Sequence, residues 1–232
     1  MKKLLVAALT VTAAIAVAFD RDAGAVRTGA GDRVVVRGNA TLDGAPFDAQ
    51  YLGAVVKRQG LVTPCQRKLP PVRNGRFTIP VFARSEANGC GAPGSQIFVW
   101  TFVQDQIVYS NQSLRWPGNA KTARFDPTFS TSAPNGGVGP IVGFAGEIFD
   151  GSNRRLAPGA HVEAFIGGTR CAVATTRITD YFVGFSIDVV GPDSIPGCAT
   201  GATITFRVNG RDAHETAVNQ LGQGSSLNLT PP

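Results

Sequence analysis

The chain has 232 residues, of which 43% are apolar and only 16% charged, against roughly 25% charged in an average soluble protein. That balance argues against a charge-driven disordered chain and against a heptad coiled coil. With 2 His a multi-histidine metal site is not expected, while 28 Gly, 15 Pro and a single Met favour strands and turns.

Met1, Lys2 and Lys3 form a positive start, and residues 4–18 are an apolar run too short to span a bilayer comfortably. Ala16-Val17-Ala18 is a small-x-small cleavage signal, and Ala23-Gly24-Ala25 is a second one. Residues 1–18 therefore read as a secretory signal peptide, with an uncleaved anchor as the alternative, and 19–31 as a disordered leader. The expected mature protein is secreted or periplasmic, with no membrane span. Removing Lys2 and Lys3 reduces the formal charge from +6 to +4. No basic run longer than two residues remains, so nucleic acid is not an expected partner.

In chain order, residues 34–40 alternate as a strand and Asp43-Gly44 marks a turn. An apolar strand at 51–56 and Cys65 follow; Asn74-Gly75 then opens an alternating strand at 75–81. Cys90 precedes a long strand at 97–103, and residues 118–125 close the unit. The same order returns at 142–148, Asp150-Gly151, 161–166, Cys171, 182–189, Cys198, 203–208, Asn209-Gly210 and 222–229. Such internal repetition defines the architecture. It predicts an all-β chain of two tandem immunoglobulin/transthyretin-like antiparallel β-sandwich domains, 32–129 and 141–232. The Ser/Gly/Pro-rich stretch 130–140 reads as a flexible linker.

Four cysteines in an exported chain suggest two disulfides, with three possible connectivities. The repeat chooses among them, because each unit holds two cysteines at equivalent places: Cys65–Cys90 and Cys171–Cys198. No CxxC pattern is present to suggest a zinc ribbon or a redox motif.

Gly146-Glu147-Ile148-Phe149-Asp150-Gly151, followed by 156–164, resembles the opening of transthyretin-like modules. These include the carboxypeptidase regulatory-like and Cna-B-like domains of bacterial surface and secreted proteins. The resemblance covers most of 142–230 and, less clearly, 34–127. It implies an accessory, adhesive or stalk-forming module with no catalytic residues and no cofactor. The Lys–Asn cross-link frequent in Cna-B-like modules has no lysine available from residue 122 onward.

Chemistry-bearing residues are sparse. His161 alternates with Val162 on a strand and reads as an edge or surface histidine rather than a base. His214 lies between Asp212 and Glu215 in a solvated hairpin. Glu147, Asp150, Glu163 and Asp188 are carboxylates suited by type to glycoside hydrolysis, but they read as outward-facing charges. No nucleophile elbow, zinc-protease motif or phosphate loop occurs. Charge divides unevenly: residues 31–127 carry +6 and 141–232 carry −2. Lys57, Arg58, Arg67, Lys68, Arg73 and Arg76 are thus candidate contacts for an anionic cell-wall or extracellular polysaccharide. Trp116 is a candidate stacking platform, although it reads first as a core or staple aromatic. The expected function is a non-catalytic module for binding, adhesion or structural support, acting on a polysaccharide or another surface protein. A secreted hydrolase with a carboxylate site is the alternative.

Overall fold

A computed structural model describes residues 33–104, 106–178 and 183–232. The signal-peptide and leader assignments lie outside these residues. Among the described residues there is no helix, hence none long and apolar enough to cross a membrane.

The first sandwich contains β1 (Val34–Asn39), β2 (Thr41–Leu42), β3 (Ala45–Pro46), β4 (Leu52–Arg58), β5 (Leu61–Pro64), β6 (Arg76–Val81), β7 (Gln96–Val103), β8 (Gln106–Tyr109), β9 (Leu114–Arg115), β10 (Thr122–Arg124) and β11 (Thr128–Phe129). The second contains β12 (Ile141–Gly146), β13 (His161–Ile166), β14 (Thr169–Thr175), β15 (Arg177–Ile178), β16 (Val183–Val190), β17 (Thr203–Val208), β18 (Arg211–Val218) and β19 (Gly224–Ser226).

The repeat is visible in the pairing. The first sandwich sets β10-β1-β6 against β5-β4-β7-β8, and the second sets β19-β12-β16 against β14-β13-β17-β18. In each, the closing strand pairs in parallel with the first, while the other principal pairs are antiparallel. Period-two alternation places one face of each strand inside. Val34, Val36, Ile79, Val81, Leu52, Ala54, Val56, Ile97 and Val99 fill the first core. Val142, Phe144, Val162, Ala164, Ile187, Val189, Ile204 and Phe206 fill the second, where Phe144 and Phe206 meet edge to face at 5.7 Å.

Three of the four turn dipeptides form left-handed pairs at hairpin tips: Asp43-Gly44, Asn74-Gly75 and Asn209-Gly210. Asp150-Gly151 does not. There Asp150 Oδ1 accepts hydrogen bonds from the Ser152 amide, the Ser152 hydroxyl and the Arg154 amide, holding a wider loop.

Disulfides join Cys65 to Cys90 and Cys171 to Cys198, with Cα separations of 5.5 and 5.7 Å. Each ties the strand pair β4–β5 or β13–β14 to the connection entering β7 or β17.

The sandwiches meet edge to edge. Asp188 of β16 is paired with Val62 of β5, so one sheet runs β19-β12-β16-β5-β4-β7-β8 through both units. The outer face of β4 and β7 is therefore covered as well as the inner one. Val55, Val62, Phe98 and Tyr109 belong to the same buried cluster as the core of the second sandwich.

The 130–140 stretch is anchored, contrary to the flexibility its composition suggests. Tyr109 N donates to Pro134 O, Gly137 N to Ser110 O, and Val138 is fully buried. Its glycines permit close approach. A Cβ on Gly136, whose φ is +48°, would lie 2.4 Å from Ser110 O, and one on Gly137 would lie 2.6 Å from the Phe98 ring.

Candidate functional site

The edge-to-edge junction leaves a cavity of about 410 Å³ between the outer faces of the two sandwiches. Phe102, Ile107 and Tyr109 form its apolar wall, and among the described residues Asp188 is the charged group lining it. The register across the sheet explains this placement. Gly224, Gly143, Asp188, Val62 and Lys57 are successive partners on β19, β12, β16, β5 and β4. Directly paired residues project to the same face. Two side-chain-free positions thus lie on one side of Asp188 and keep the space beside its carboxyl open.

Asp188 is 8% exposed. Burial raises its pKa from the ordinary carboxylate range to about 7. Among the described residues no Arg, Lys or His forms an ion pair with it. Burial and then the Asp188 charge push the Tyr109 hydroxyl well above its usual value.

Asp188 reads from the sequence as an outward-facing carboxylate, but in the structure it is buried. Asp188 does face away from the core of its own sandwich, as the alternation on β16 requires. It is buried because the first sandwich docks on that face.

Other predicted residues are dispersed. Lys57 is half-buried and donates to Val138 O at 2.9 Å and to Gly137 O at 3.4 Å, anchoring the connection between sandwiches. Desolvation lowers its pKa. Arg58 ends the same strand, whereas Arg67, Lys68, Arg73 and Arg76 are exposed on the 65–76 segment near the other end of β4. A seven-residue strand spans roughly 20 Å, so the six do not form one patch. Trp116 is 8% exposed. Its ring covers Gly91, where a Cβ would approach Trp116 Cζ3 to 1.7 Å. The ring belongs to the same buried cluster as Cys65 and Cys90, so Trp116 serves as a core aromatic rather than a stacking platform.

Glu147, Asp150 and Glu163 pair with Arg155, Arg154 and Arg170 at 3.1, 3.2 and 3.0 Å. None of the three lines the cavity. His161 lies at the junction, with Nδ1 3.2 Å from Asn88 Nδ2 of the first sandwich.

Sequence reasoning missed Arg177. From β15 its guanidinium donates to Gln66 O at 3.0 Å and to Pro64 O, and it sits 5.1 Å over the Phe82 ring. Desolvation lowers its pKa to about 10, so it remains a cation at neutral pH. It stitches the second sandwich to the disulfide-bearing strand end of the first. Its sequence signal is weak, because a single arginine beside a strand ordinarily faces solvent.

No family model matches the chain, and no curated protein matches it in sequence. Solved structures superpose on it only coarsely. A leucine-rich repeat protein from Bacteroides thetaiotaomicron aligns over 87% of this chain at 9% identity with a TM-score of 0.33. This chain spans only 26% of that protein's length. A shaft pilin from Lactobacillus rhamnosus GG aligns over 86% of this chain and 98% of its own, at 10% identity and a TM-score of 0.26. A streptococcal ancillary pilin aligns over 88% of this chain and 63% of its own, at 9% identity and a TM-score of 0.29.

Proposed function

We propose that the chain is a non-catalytic module of an exported or cell-surface protein, serving binding, adhesion or structural support. The observation that carries this reading is the junction. Two disulfide-braced sandwiches share one sheet, an anchored connection and a common buried cluster. Such construction fixes the orientation of one module on the next, as a presenting or load-bearing element requires. Disulfides and the signal-like start favour an oxidising, extracytoplasmic setting.

A hydrolase reading fits less well. Paired-carboxylate hydrolysis needs two carboxyls roughly 5–9.5 Å apart about the scissile bond, and among the described residues Asp188 is the single carboxylate lining the cavity. Within the binding reading, contact with an anionic polysaccharide narrows to Arg67, Lys68, Arg73 and Arg76, since Lys57 anchors the connection, Arg58 lies at the opposite end of β4 and Trp116 is buried.

The test is retention of the full mature chain on insoluble cell walls and polysaccharides at low and high salt, with soluble product followed in the same tubes. Retention without product supports a binding module; release of sugars contradicts the reading. Replacing Arg67, Lys68, Arg73 and Arg76 by Gln is expected to abolish any salt-sensitive part of the retention.

A further inference from the structure

We propose that the cavity between the sandwiches binds an alkylammonium group, a cation on a short apolar stem, with Asp188 as its counter-ion. This goes beyond the function proposed above, because neither the 65–76 segment nor polymer retention enters it.

Several independent observations converge. The cavity, about 410 Å³, is within the size range of small-molecule sites. Among the described residues its one charged lining group is a carboxyl, more than nine-tenths buried and without a cationic partner. A buried carboxylate of this kind is costly unless a cation or hydrogen-bond donor reaches it. Among the described residues the groups facing it supply no cation, and the nearest neutral donor is the Tyr109 hydroxyl. β12 presents Ile141 and Gly143, β5 presents Val62, β8 presents Tyr109 and β19 presents Gly224. Lys57 shares the row but stands two strands away, roughly 10 Å at the usual strand spacing, with its ammonium bonded to the Val138 and Gly137 carbonyls.

The remaining walls select the stem. Phe102 and Ile107 are cross-strand partners that stay 44% and 40% exposed at the rim. Methylene groups passing between them would leave water as the ammonium reaches Asp188. Gly143 keeps the approach clear, since a Cβ there would sit 3.5 Å from Asp188 Oδ1. Gln104, Gln106, Asn135 and Gln223 give the rim neutral amides able to bond to whatever carries the stem. The same chemistry arises from a free small amine or from a lysine side chain of a polypeptide.

The test uses the disulfide-bonded mature chain and two cationic probes, n-butylammonium chloride and the tripeptide acetyl-Ala-Lys-Ala-amide. The matched neutral probes are n-butanol and acetyl-Ala-norleucine-Ala-amide. Binding is followed by amide chemical shifts at Gly143 and Gly224. At pH 8 each cationic probe is expected to bind at least tenfold more tightly than its neutral match. At pH 5, with Asp188 protonated, that preference should collapse, as it should in Asp188→Asn. Gly143→Ala adds a methyl at ordinary van der Waals distance and is expected to weaken both cationic probes while leaving the spectrum folded. A tighter tripeptide identifies a polypeptide lysine as the source, and a tighter n-butylammonium a free amine. Equal binding of charged and neutral probes at pH 8 overturns the proposal, as does a preference for the cation that survives at pH 5. The pH comparison needs only the native chain, so it decides the matter even where Asp188→Asn fails to fold.

Discussion

Asp188 of β16 stands directly opposite Val62 of β5, and this register pair turns two β-sandwiches into one continuous sheet. It also puts a carboxyl where each sandwich alone would leave solvent. The cavity, the raised pKa and the shared buried cluster all lie around that pair.

Stability should depend on pH through Asp188. Its folded pKa is raised to about 7 from an ordinary 3.8. The folded state therefore holds its proton more tightly than the unfolded chain. Below about pH 4 both states are protonated and the group costs nothing. Stability falls as pH rises from about 4 to about 7, and the penalty is constant above that. A shift of this size corresponds to on the order of 4 kcal/mol. Urea unfolding at pH 5 and pH 8 should show the native chain losing stability across this interval more steeply than Asp188→Asn. Parallel pH profiles for the two proteins would rule out the buried-carboxyl assignment.

Each disulfide should add its own increment to the stability of the joined sandwiches. Sequence separations of 25 and 27 residues correspond to about 3–4 kcal/mol each in the chain-entropy account. Replacing Cys171 and Cys198 together by Ser should lower stability by about that amount. Non-reducing peptide mapping of the variant should still show Cys65 linked to Cys90.

Arg177→Met keeps most of the packing over Phe82 but removes the donors to Pro64 O and Gln66 O. Leaving these part-buried carbonyls without the donors costs up to about 1–3 kcal/mol each. The variant should unfold at lower denaturant and show faster amide exchange on both sides of the junction. Unchanged exchange there would mean that Arg177 does not hold the sandwiches together.

Gly91→Ala should be among the most damaging small substitutions. Its new Cβ would fall 1.7 Å from the Trp116 ring, so the ring must leave its buried site beside Cys90. A loss of at least 3 kcal/mol is expected, comparable with removing a core aromatic. A red shift of tryptophan emission in the folded variant would report the displaced ring.

Much of the fold was legible in the sequence because its causes are local. Strand alternation at 34–40 and 75–81 marked β1 and β6, and left-handed turn pairs such as Asn74-Gly75 marked the hairpins. The repeat aligned the cysteines into the pairing that the structure contains. The site was not legible, because its cause is the docking of distant edges. Asp188 alternates like any outward strand charge until β5 lies against it. Lys57 reads as surface charge until Val138 folds back to it. One signal was present: residues 52–56 and 97–103 are nearly continuous apolar runs rather than clean alternations. Such runs mark strands covered on both faces, which a free-standing module would not need.

The central claim is that the two sandwiches behave as one body. Both tryptophans lie in the first sandwich, Trp116 in its own core and Trp100 against the shared cluster, so their fluorescence reports that half and the junction, whereas far-ultraviolet circular dichroism reports both halves. Equilibrium unfolding in urea, with disulfides intact, should give superimposable single transitions by the two probes. A fluorescence transition separated from a second circular-dichroism transition would contradict the account, showing two independent modules with no lasting junction between them.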